Sequence, residues 1–263
     1  MDIPPSPPTI FSRKRRLAAR LRMQAIVDAG SGVVTVAREL AEDVIDRLGF
    51  LREDFRTALV LGDRTGALAR HLEGGGAEVT LAEPAPISGV TPIDEEAPLP
   101  GGPYSLIVSL GLLETVNDLP GALVLMRRAL KPGGLMIASF GAAGSLPKLR
   151  TAMLEADGDR PAPRIHPQVD VRAAGQLLTR LGFADPVVDG WGFDIGFESF
   201  DQIVGDLRAQ ALNNVLANPG PPLSRTAATA ARASFEASRG ADGLIRERFE
   251  FVTLTGRNPA PRF

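Results

Sequence analysis

The residues best placed to do chemistry are Gly62, Arg64 and Gly66, with Glu83 further on. Ala58-Leu59-Val60-Leu61 is an apolar run of strand type that stops at Gly62, and Ala67–His71 can open a helix. A second apolar run, Val79-Thr80-Leu81-Ala82, ends in Glu83. This is the layout of a nucleotide-binding strand–helix–strand unit. Glycine lets the backbone approach a ligand, the helix N-terminus presents free N–H groups, and an acid at the tip of the next strand accepts from ribose hydroxyls. Arg64 is the exception in the loop. Its side chain restricts the turn and crowds a ligand where a glycine would not.

The elements that must position these residues alternate. Residues 11–27 and 33–48 read as helices broken at Gly30-Ser31-Gly32. Thr57–Leu61 is a strand, followed by a helix over Ala67–Glu73 that Gly74-Gly75-Gly76 closes, and Glu78–Ala82 is the next strand. Tyr104–Ser109 is a nearly continuous apolar run, as in a strand buried on both faces. A helix over Leu119–Leu130 stops at Lys131-Pro132-Gly133-Gly134, Leu135–Phe140 is a strand, and Val171–Leu181 is a helix. Such alternation implies a parallel sheet with right-handed crossovers. After Phe183 the rhythm changes. Ala184–Val188, Phe193–Phe197 and Arg246–Thr255 read as strands, and Phe200–Leu216 and Arg225–Ser238 as helices. The expected fold is α/β: a Rossmann-like, seven-stranded, mostly parallel sheet with N-terminal helices and a C-terminal helical insertion at about 199–240. Residues 1–50 form a basic helical extension and 51–263 the main domain.

Composition narrows the function classes. The chain has 263 residues, 44% of them hydrophobic and 23% charged, with a net charge of −2, so bulk attraction to nucleic acid is not expected. It has no cysteine, which excludes disulfides, thiolate catalysis and Cys-based zinc sites. No apolar run reaches the roughly 18 residues a membrane span needs. Arg13-Lys14-Arg15-Arg16 with Arg20 and Arg22 reads either as a transit peptide or, preferably, as a basic surface helix, and Met1–Pro8 as a loose Pro-rich start. His71 reads as a surface residue and His166 is the only other histidine. Two scattered histidines give no legible iron site, so no metal ligand is named. Trp191 and Tyr104 read as packing residues, and Arg208 as part of a solvated helix face.

Leu130-Lys131-Pro132-Gly133-Gly134, after Asn117-Asp118-Leu119-Pro120 and before an apolar strand, resembles the class I S-adenosylmethionine (SAM) methyltransferases. Against their acid-x-Gly-x-Gly-x-Gly signature the chain keeps Gly62 and Gly66, with Val60 at the acid and Arg64 at the middle glycine. Three further segments look like one branch of that superfamily: Ile10-Phe11-Ser12-Arg13, Arg164-Ile165-His166-Pro167 and Phe249–Gly256. That branch is the mitochondrial and alphaproteobacterial complex I assembly proteins that hydroxylate an arginine. The chain is also similar to the malonyl-carrier-protein methyltransferases.

The resemblance implies SAM as cofactor. Gly62, Arg64 and Gly66 would lie under its methionine end, Glu83 would take the ribose, Asp94 would lie near the adenine amino group, and Leu110 and Gly111 would line the site. Glu114-Thr115 stands where related sequences carry bulkier residues over the pocket. Arg64 has two readings here: a charge that repels the sulfonium, or a partner of the methionine carboxylate. Methyl transfer is mostly alignment, so no catalytic residue is named. The leading expectation is a protein-modifying enzyme of complex I assembly, in the bacterial cytoplasm or the mitochondrial matrix. The alternatives are a scaffold that has lost SAM and a carrier-protein or small-molecule methyltransferase.

Overall fold

Each central strand divides its residues between two cores, and the fold follows from that. In β1 (Thr57–Leu61), Ala58 and Val60 join one apolar cluster while Leu59 and Leu61 join the other. Alternation with every position buried is what a strand covered on both faces requires. In this computed structural model, which describes residues 8–30 and 32–260, β1 lies between β2 (Glu78–Glu83) and β4 (Tyr104–Leu110) and runs parallel to both. The short β3 (Thr91–Pro92) flanks β2. β5 (Leu130–Gly141) is parallel to β4, β7 (Ile245–Arg257) pairs antiparallel with β5, and β6 (Ala184–Phe197) pairs antiparallel with β7. The sheet order is β3-β2-β1-β4-β5-β7-β6. This is the seven-stranded, mostly parallel sheet expected from the alternation.

Helices α1 (Arg13–Asp28) and α2 (Thr35–Leu51) precede the sheet. α3 (Ala67–Gly74) follows β1, α4 (Leu119–Ala129) follows β4, and α5 (Pro147–Asp157) and α6 (Val171–Arg180) follow β5. α7 (Phe200–Ala209) and α8 (Arg225–Ala237) stand between β6 and β7. The turn motifs have local causes. Asp118 caps α4 by accepting from the Gly121 N–H at 2.8 Å, with Pro120 in the first turn. Asn117 Oδ1 accepts from the N–H groups of Ile10 and Phe11, each at 2.8 Å, and so ties the start of the described chain to the sheet.

Several boundaries differ from the sequence reading. The two strands expected at 184–188 and 193–197 are one long β6, because Gly190 and Gly192 pair with β7 and do not break the ladder. The helix expected over Phe200–Leu216 ends at Ala209, where Ala211 takes a positive φ. Lys131–Gly134 belongs to β5, with Gly133 alone in the left-handed region at φ 76. α5 and β3 had no expected counterpart. Of the Pro-rich start only Pro8 is described, and Ser31 of the Gly30-Ser31-Gly32 break lies outside the described residues.

Candidate active site

The loop after β1 lies at the C-terminal edge of the parallel strands, where open α/β sheets hold ligands. Gly62 has φ 78, and a Cβ there would stand 2.5 Å from the Leu110 carbonyl oxygen. No other residue fits this crossing of β1 and β4. Gly66 begins α3 at φ 64, and Gly111 follows β4 at φ 59. Leu110 is buried and Gly111 lines three adjoining cavities.

The helix N-terminus is less open than the sequence layout implies. The Ala67 N–H donates to Thr65 Oγ1 at 3.2 Å and the Ala69 N–H to Asp63 Oδ2 at 2.9 Å. Asp63 and Thr65 thus occupy donors that an incoming ligand was expected to meet.

The acids are engaged too. Glu83 stands at the tip of β2 and is buried, but both of its oxygens accept from the guanidinium of Arg20, with Nη2 to Oε2 at 2.7 Å. Arg16 makes the same two-pronged contact with buried Glu95 and also donates to Thr115 Oγ1 and the Leu112 carbonyl. Arg13 Nη1 lies 2.6 Å from Asp94. One face of α1 therefore reaches the acids around the expected nucleoside position. The basic helix lies at the surface as the sequence reading has it, with Lys14, Arg15 and Arg22 exposed, but Arg16 and Arg20 are turned inward onto buried acids. Its spacing, 13, 16 and 20, is the signal that was available: residues three and four apart share a helix face.

Two cavities adjoin the loop. One, of about 290 Å³, is bounded by Asp63, Thr65, Gly66, Glu83 and Val90. The other, of about 110 Å³, lies beyond Gly111 and is walled by Leu40, Phe249 and Phe251, with Glu114, Arg164 and His166 among its polar groups. Glu114 Oε2 is buried with no hydrogen-bond partner, and burial pushes its carboxyl up against the pull of Arg16 and Arg20. His166 Nε2 accepts the Val215 N–H at 2.8 Å, so the ring is neutral with its proton on Nδ1. Burial lowers its pKa to about 4. The sequence reading passed over both cavity residues as candidates.

The remaining candidates pack. Tyr104 donates to the Pro100 carbonyl, Trp191 Nε1 donates to Thr253 and the Trp191 ring stacks on Phe251 at 4.9 Å, and His71 and Arg208 are exposed.

The methyltransferase domain model matches residues 35–186, a span that runs from α2 through β5 to the start of β6 and contains the loop, Glu83 and Glu114. The chain belongs to the methyltransferase domain family. It is 30% identical over 260 residues to the malonyl-[acyl-carrier protein] O-methyltransferase of Halorhodospira halophila, covering 90% of this chain and 86% of that protein. It is 28% identical to the mitochondrial arginine-hydroxylase NDUFAF5 of Mus musculus, covering 83% of this chain and 68% of that one. Among solved structures, the YcgJ protein of Bacillus subtilis superposes with a TM-score of 0.53 at 13% identity, over 85% of this chain and all of that one.

For a methyltransferase domain the residues present fit SAM in part. The glycine crossing at Gly62, the cavity beside Glu83 and the buried, unpaired Nε of Arg64 suit an adenosyl ligand with a charged end. Glu83 suits it only once Arg20 releases it.

Proposed function

We propose that this chain binds SAM at the C-terminal edge of β1, β2 and β4 and modifies a protein substrate, in the assembly of respiratory complex I. Residues 1–50 form a basic helical extension whose first helix pairs with the acids beside the crevice. The site of action is the cytoplasm, or the matrix if the chain is mitochondrial. Gly62, Arg64 and Gly66 hold the methionine end, Glu83 the ribose, and Asp94 the adenine side. When bound, SAM supplies an electrophilic methyl group. The chain's residues supply alignment, exclusion of water and a place for the acceptor.

The observation that carries this reading is Glu114 Oε2, buried without a hydrogen-bond partner at the cavity next to Gly111. A buried acceptor with no partner favours an incoming hydrogen-bond donor, and a basic side chain most of all, because it also pays the desolvation of the carboxylate. An arginine side chain has that chemistry. A malonyl carboxylate would sit beside Glu114, where one of the two acids must take up a proton, and the cation on the same cavity wall, Arg164, is already engaged by Asp157. Glu114 therefore favours a basic protein side chain over a carrier-bound malonyl group, and Phe249 and Phe251 suit the apolar stem or face of such a group.

The test is calorimetric titration with S-adenosylhomocysteine, followed by mass analysis of arginine-containing complex I subunits incubated with the protein and SAM. A methyl increment and an oxygen increment are distinguishable. Glu114→Gln keeps the side-chain shape and removes the charge. It should weaken modification of the basic acceptor by about tenfold or more and leave S-adenosylhomocysteine binding unchanged. A Glu114→Gln variant as active as wild type would remove the carboxyl from the acceptor site.

A second reading is a scaffold that has lost SAM, and the Arg20–Glu83 pair favours it, since the chain itself fills the ribose-binding acid. Absence of any adenosyl binding in wild type and in an Arg20 variant would select it.

A further inference from the structure

We infer that Arg64 is an anchor for the α-carboxylate at the amino-acid end of the ligand held in the crevice. The inference deepens the SAM reading above and rests on it, because the end in question is the amino-acid end of an adenosyl ligand.

Arg64 stands where two cavities meet. It borders the larger one beside Gly66 and Glu83 and a smaller one, of about 30 Å³, lined by Leu40, Gly62, Leu110, Gly111 and Gln210. A ligand with its nucleoside beside Glu83 and its amino-acid end beside Gly62 must pass this guanidinium. The smaller cavity also borders Arg20, so both guanidinia face it.

The guanidinium is poorly provided for by the protein. Nη2 donates to the Ala209 carbonyl at 3.3 Å, a long contact for a charged donor. Nε is buried and has no hydrogen-bond partner. Among the described residues no carboxylate pairs with Arg64. Glu83, the acid whose charge it feels, is held on both oxygens by Arg20. Asp63, its neighbour in the chain, is occupied by the Ala69 N–H and the Thr65 hydroxyl. Burial, and then the adjacent Arg20, lower the Arg64 pKa to about 10.

A half-buried cation without a counter-ion is unfavourable, and an incoming anion reduces that cost. The planar fork of a guanidinium matches a carboxylate in two-pronged geometry. The same charge repels a sulfonium, so a thioether ligand with a carboxylate keeps the attraction and loses the repulsion at sulfur. This separates the two readings of Arg64 left open by the sequence. Repulsion predicts that its removal strengthens SAM binding, and anchoring predicts that its removal weakens S-adenosylhomocysteine binding.

The experiment titrates the full chain with S-adenosylhomocysteine and with 5′-methylthioadenosine, which keeps the nucleoside and thioether and lacks the amino-acid end, so that the Arg64 variants assign the difference to the carboxylate. Inorganic phosphate is titrated separately as an anion without a nucleoside. The proteins are wild type, Arg64→Gln and Arg64→Lys. Wild type should bind S-adenosylhomocysteine about tenfold or more tighter than methylthioadenosine. Arg64→Gln should abolish that ratio through loss of S-adenosylhomocysteine affinity alone. Unchanged methylthioadenosine binding would show an intact crevice, and Arg64→Lys should recover part of the ratio. An Arg64→Gln protein that binds S-adenosylhomocysteine as tightly as wild type, or tighter, overturns the anchor. If neither adenosyl ligand binds wild type, the SAM reading fails by itself and phosphate decides. Phosphate binding that disappears in Arg64→Gln keeps an anion site supplied from another source, and no phosphate binding ends the proposal.

Discussion

Glu83, Glu114 and His166 show how burial changes what a residue can do. A strand-tip acid free in solution would await a ribose, but buried Glu83 is stabilised by a cation in the ligand-free chain, and Arg20 supplies it. His166 is the clearest case for titration. The folded ring holds its proton more weakly than an ordinary imidazole, its pKa lowered to about 4, because burial disfavours the imidazolium and Nε2 must stay unprotonated to accept from Val215. The unfolded chain takes up a proton that the folded ring refuses. Stability from this group is complete above about pH 6.5 and declines as pH falls toward about 4, by at most about 2–3 kcal/mol after allowance for partial exposure. Glu114 acts in the opposite sense, since a raised carboxyl loses stability as pH increases. Urea midpoints measured from pH 7 to pH 4.5 should fall in wild type and fall less steeply in His166→Gln. Parallel pH profiles for the two proteins would contradict the neutral buried ring.

Helix α1 is the element whose role differs most from its composition. Ser12 caps it by accepting from the Arg15 N–H, Phe11, Ala19 and Met23 are buried beneath it, and Arg13, Arg16 and Arg20 close on three acids. Its outer face, with Lys14, Leu21 and Arg22, remains exposed. The Arg20–Glu83 pair is the innermost of these contacts. Arg20→Met leaves a buried carboxylate without its cation and should cost about 3–5 kcal/mol of stability. Removing both charges in Arg20→Met/Glu83→Gln should restore most of it. The same single variant leaves Glu83 free to accept ribose hydroxyls, so S-adenosylhomocysteine should raise its melting temperature by more than it raises that of wild type. Thermal scans with and without ligand measure both effects. Equal stability of Arg20→Met and wild type would show that the pair contributes nothing net.

Across the whole molecule, stability should be graded from the sheet centre outward. β1 and β4 are hydrogen-bonded on both sides and their apolar residues are buried on both faces. β3 is two residues long at one edge, and α1 is held to the rest largely through side chains. Native-state amide exchange should therefore be slowest in β1 and β4, and fastest in β3 and the first turn of α1. Amides of α1 as protected as those of β4 would mean that the extension unfolds only with the whole domain. The same gradient places the ligand crevice between a rigid sheet edge and a helix held by charge, an arrangement in which access can change without disturbing the core.

The elements of the sheet were legible because they depend on local rules. Apolar runs of strand length, the stop at Gly62 and the cap at Asp118 act within a few residues, so β1, α3, α4 and the seven-stranded sheet follow from sequence. Gly62 itself was legible as a close approach, although only the fold shows that the approach is to the Leu110 carbonyl. The site was legible as a location and not as a state. Arg20 and Glu83 lie 63 positions apart, and no local pattern says that one neutralises the other. The same holds for Glu114 and His166, which share a cavity because α1, the end of β4 and the segment before α6 converge on it. Long-range charge pairing and burial are set by packing of the whole chain. They decide which acids are free, which base is neutral and which guanidinium still lacks a partner.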